Sequence, residues 1–73
     1  MRKEGVICQL IESYGHPDRN KIFLARGMFA DEASTEEDID GLAEGDWVSL
    51  ERATMREAWT VVEHKKKGGR YHE

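Results

Sequence analysis

Three rings and three cations crowd one short stretch, "SYGHPDRNKIFLAR" (13–26): Tyr14, His16 and Phe23 with Arg19, Lys21 and Arg26. Flat π faces stack on unpaired bases, at about 1–3 kcal/mol per base, while cations track phosphates. This mixture is the chemistry of contact with single-stranded RNA or DNA. A second stretch, "ADEASTEEDIDGLAEGD" (30–46), carries eight acids and no base. Its acids Asp31, Glu32, Glu36, Glu37, Asp38 and Asp40, followed by Glu44 and Asp46, could imitate a phosphate backbone. Residues 31–46 therefore support an alternative reading, a protein-interaction or regulatory module that docks on a basic protein surface.

Other chemistry finds little in the chain. Glu36, Asp38 and Asp40 followed by Gly41 imitate the start of a calcium loop, but the position that needs the closing glutamate holds Trp47. His16, His64 and His72 have no metal-ligand spacing. No serine or threonine sits in a nucleophile motif, and no glycine loop is of the phosphate-binding type. The expectation is a binding module, not an enzyme, with no cofactor and no metal. The basic run "HKKKGGR" (64–70) could add phosphate contacts or serve only as a solubilising end. Trp47 and Trp59 are assigned to the core or to packing beneath loops.

Composition sets the frame. The 73 residues are 38% hydrophobic and 36% charged, which fits one small domain and excludes a fully disordered chain. No apolar run approaches the roughly 20 residues of a membrane-spanning helix, and the N-terminus lacks the apolar length of a signal peptide. The single cysteine, Cys8, excludes an internal disulfide. A secreted domain of this size usually needs such staples, so the expected compartment is the cytoplasm. Cys8 itself falls at an apolar strand position and is assigned to the core. The net charge of −4 conceals a split: outside residues 30–46 the chain has seven acids and 11 bases.

The elements that must position these residues are mostly strands. Residues 5–14 alternate, Val6, Cys8 and Leu10 on one side and Ile7, Gln9 and Ile11 on the other. The breakers of "SYGHPDRN" (13–20) predict a loop. In residues 21–29, Ile22 and Leu24 point inward, leaving Phe23 outward between Lys21 and Ala25, with Gly27 at a bend, a bulge or the strand's end. Ser34 followed by Glu37 fits a capping box and predicts a short helix or turn over 35–43. Strands are predicted again at 47–53 and 58–65, separated by a hairpin loop at 54–57. Residues 1–64 then form one β domain, and residues 65–73 a flexible basic tail. Small all-β chains hide their edges by closing, so the expectation is an all-β, five-stranded OB-like barrel, with an SH3-like barrel as the alternative. The fifth strand would come from residues 13–19 or from splitting residues 21–29.

The order of motifs resembles a divergent cold-shock-like OB domain. The matching segments are "EGVICQL" (4–10), "SYGH" (13–16), "KIFLAR" (21–26), "LAEGDWVSLE" (42–51) and "AWTVV" (58–62). The resemblance implies an OB barrel that binds single-stranded nucleic acid, with Phe23 at a stacking position. The chain departs from the family at His16 and Pro17, where a stacking phenylalanine is usual, and at Ala25, where a histidine is usual.

Overall fold

The computed structural model describes residues 1–13 and 19–67. Tyr14 and His16 lie outside the described residues, as does residues 68–73 of the expected tail. Five strands form one antiparallel sheet: β1 Arg2–Ile11, β2 Asn20–Arg26, β3 Phe29–Thr35, β4 Trp47–Glu51 and β5 Thr60–Lys65, in the order β3-β2-β1-β4-β5. The long central strand β1 serves both halves. Its first half pairs with β4, from Arg2 opposite Glu51 to Val6 opposite Trp47. Its second half pairs with β2, from Ile7 opposite Leu24 to Ile11 opposite Lys21. The sheet curls until its edges approach. Trp59 N–H donates to Ser34 C=O at 2.8 Å, and Val61 N–H donates to Glu37 Oε1 at 3.1 Å. The result is a small barrel-like fold, stitched between β3 and the entry to β5 rather than laddered there.

Alternation explains the core. Ile22 and Leu24 of β2, Ala33 of β3, Val48 and Leu50 of β4, and Ile7 of β1 face one another and are fully buried. Trp59 closes the cluster from the loop before β5, as assigned from the sequence, with Lys3 Nζ at 4.7 Å and the Arg52 guanidinium at 4.3 Å from its ring centroid. Trp47 is half-buried on the opposite surface of β4, beneath Lys65.

Several expectations change. Cys8 is exposed, not core. A β-bulge between Ile7 and Gln9 shifts the register, so Ile7 faces inward, Leu10 returns to the inner side, and Cys8 is the extra residue. Val6 is accordingly exposed as well. Of the short helix or turn expected over 35–43, the turn is what forms, after Thr35 closes β3, and the described residues contain no helix. The acidic segment is not one loop, since its first third is strand β3. The fifth strand arises because the chain reverses at Gly27 and Met28, pairing Arg26 with Phe29 and Asn20 with Thr35. Gly27, at φ 60°, is the first central residue of this two-residue turn, a position that favours glycine. The strands predicted at 47–53 and 58–65 are shorter at one end each, because residues 52–59 form the connecting loop.

Candidate nucleic-acid interface

The outward surface of β1, β2 and β3 carries the candidate stacking ring. Phe23 lies between Gln9 of β1 and Glu32 of β3, and Lys21 lies between Ile11 and Ser34. Phe23 is half-buried; Ile11 is 42% exposed. Beyond them Ala25 pairs with Ala30, and both are exposed. The platform is therefore mixed, with Phe23, Ile11, Ala25 and Ala30 beside Gln9, Lys21, Glu32 and Ser34.

The cations are arranged differently from the sequence expectation. Lys21 Nζ lies 3.2 Å from Glu32 Oε2, and Arg19 Nε lies 3.5 Å from Glu36 Oε2. Arg26 does not flank Phe23. It shares the parity of Ile22 and Leu24 and caps one end of the barrel, bonding Glu4 C=O at 3.0 Å and pairing with Asp31 at 3.5 Å. Lys3 meets the same Asp31 at 3.0 Å and is only 19% exposed, so this corner is a structural clamp. Of the six residues expected to contact nucleic acid, Lys21 and Phe23 share a face, Arg19 stands at its edge, Arg26 sits around the corner, and Tyr14 and His16 are outside the described residues.

The sequence reading missed Phe29. At the tip of the β2–β3 hairpin Met28 is 94% and Phe29 78% exposed, more open than Phe23. Recognising Gly27 as the start of a hairpin turn, not a strand end, was the signal that could have revealed it.

The acids divide into three groups. Asp31, Glu32 and Glu36 pair with cations of β1, β2 and the segment before β2. Glu37 serves the barrel seam, its side chain accepting from Val61 N–H and its carbonyl from Asn20 Nδ2. Asp38 and Asp40 gather with Glu12, their carboxylate oxygens within 4.8 Å of one another, all three residues exposed. A hydrogen bond shared with Glu12, and the negative charges of Asp38 and Glu12, raise the Asp40 pKa above the ordinary carboxylate value. Through one oxygen each, the three exposed carboxylates supply about half or fewer of the roughly six to eight oxygens that calcium takes.

Asp46 is a structural acid. It is buried, and its carboxylate accepts from Lys67 N–H at 2.9 Å and Ala43 N–H at 3.1 Å, and meets His64 Nε2 at 2.8 Å. These contacts, led by the Lys67 amide, lower its pKa against the opposing effect of burial. Gly45, at φ 96°, leaves room for the Lys67 side chain, which a Cβ there would overlap.

The strand order and this outer platform define a small all-β, five-stranded, barrel-like fold with an aromatic, charge-paired face. No protein-family model, curated protein or solved structure matches the chain. Among the described residues no helix is long and apolar enough to cross a membrane.

Proposed function

We propose that this barrel is a module of cold-shock-like type that binds single-stranded RNA, or DNA through the same contacts. The observation that carries the reading is the outward ring of Phe23 in the middle of the β1, β2 and β3 surface. Such a ring can stack on a base, contributing about 1–3 kcal/mol. Phe29 stands open at the hairpin tip, but its register partner is Arg26, so it lies on the other face of the hairpin. Lys21 and Arg19 border the platform and are the candidate phosphate contacts, with Tyr14 and His16 as further candidates from the sequence, outside the described residues. Titrating a labelled single-stranded oligonucleotide, at low and at moderate salt, tests the proposal. Phe23→Ala should weaken binding about fivefold or more, because it removes the stacking face at the centre of the outward surface. Absence of binding at both salt concentrations refutes it.

The cluster of Glu12, Asp38 and Asp40 favours a second reading. A hydrogen bond with Glu12, and after it the negative charges of Asp38 and Glu12, raise the Asp40 pKa, and a cationic protein surface would relieve the repulsion among these carboxylates. Capture of a basic partner that is lost in Asp38→Asn/Asp40→Asn would support this reading; an unchanged set of partners would contradict it.

A further inference from the structure

The cations best placed to receive phosphates are already held by carboxylates of the same chain. Lys21 pairs with Glu32 at 3.2 Å and Arg19 with Glu36 at 3.5 Å. Glu32 also stands directly across from Phe23 in the β2–β3 register. The acid is thus beside the ring on which a base would stack, in the space that the nucleotide's phosphate would seek. These two pairs are open to solvent, with side chains 41% and 49% exposed in one and 39% and 72% in the other. Lys3 and Asp31, at 19% and 33%, are more enclosed and tie β1 to β3. Exposed ion pairs are weak, about 1 kcal/mol or less, and a competing anion can displace them. Buried ones resist displacement.

We propose that Glu32 and Glu36 act as an internal phosphate substitute that sets the affinity and salt response of the nucleic-acid face. This rests on the binding reading above and concerns the regulation of the same site. A polynucleotide phosphate that approaches Lys21 or Arg19 shares the cation with a carboxylate or displaces it, and in either case the carboxylate lies close to the strand and repels it. Binding by the native chain is therefore weak, and the two cations contribute little to counterion release. Any change that neutralises or draws away the two acids, such as a basic partner docking on β3 and the turn after it, opens the face to nucleic acid.

The test compares native protein, Glu32→Gln/Glu36→Gln and a control, Glu44→Gln/Glu63→Gln, which changes net charge equally away from the site. All are titrated with a fluorescently labelled oligouridylate over a series of salt concentrations, after circular dichroism confirms that each is folded. The pair variant should bind about threefold to tenfold tighter than native at low salt. Its plot of log affinity against log salt should be steeper by about 1.4, roughly 0.7 for each freed cation on a single strand. The control should stay near native. Binding by the pair variant alone, with native too weak to detect, would equally support the proposal. Equal affinity and slope in the pair variant and the control would overturn the internal substitute while leaving the binding reading standing. No binding by any of the three at low salt would remove both.

Discussion

Asp46→Asn probes the most demanding polar site in the barrel. The native carboxylate is 4% exposed and receives two backbone N–H groups and the His64 ring, at 2.8 to 3.1 Å. Asparagine keeps the shape but offers one acceptor oxygen, so its amide group must face a donor. A hydrogen bond to a charged group is worth about 1.5–3 kcal/mol, and leaving a buried donor unpaired costs about 1–3 kcal/mol. The expected loss is roughly 3 kcal/mol, a large fraction of the total for a chain this short. The sign of the pH dependence follows from the lowered Asp46 pKa. The stabilisation is complete above the unfolded carboxylate value of about 4 and is lost as pH falls through the depressed folded value. Urea unfolding followed by tryptophan fluorescence reads both quantities. The difference between native and variant should be about 3 kcal/mol near pH 7 and should narrow in acid below about pH 4. A difference below about 1 kcal/mol near neutrality, or one that is the same in acid, would refute the reasoning.

Three further outcomes follow from the same structure. Leu50→Ala empties a fully buried position between β4 and the opposite wall and should cost about 2–5 kcal/mol in denaturant unfolding. Gly27→Val places a β-branched residue at φ 60° and should destabilise the hairpin by about 1–2 kcal/mol, seen as a lower urea midpoint with unchanged slope. Asp40→Asn removes one of three clustered carboxylates; because the Asp40 pKa is raised, its charge opposes folding as pH rises through that value, so the variant should melt at a higher temperature than native at neutral pH but not in acid.

Particular residues show what could be read from the sequence. In β2 no bulge intervenes, so Ile22 and Leu24 share one face and Phe23 the other by the two-residue period; which face is inward rests on the two large aliphatics, because Ile22 to Ala25 are all apolar. In β1 the same rule failed at Cys8, because a bulge breaks the period without leaving a distinctive residue. Strand β3, "FADEAST", has little intrinsic strand preference and resembles a helix start at Ser34 and Glu37. Its pairing with β2 outweighs that local preference, and Glu37 turns its carboxylate to Val61 N–H across the barrel seam. The candidate site was half legible for a related reason. Residue types placed Phe23 and Lys21 together, but charge partners depend on strand register. Nothing local links Lys21 to Glu32, Arg19 to Glu36 or Arg26 to Asp31. Those pairs turn a stretch that reads as basic into a face that is close to neutral.

The central claim is that the outward surface of β1, β2 and β3 receives a single-stranded polynucleotide. Amide chemical-shift mapping of the native protein with a short oligouridylate tests it most directly. The account predicts that the amides of Gln9, Lys21, Phe23 and Glu32 move together as the oligonucleotide is added, while those of Glu51, Thr60 and Glu63 on the far side stay in place. A spectrum that does not change, or changes confined to residues 36–44, would contradict it.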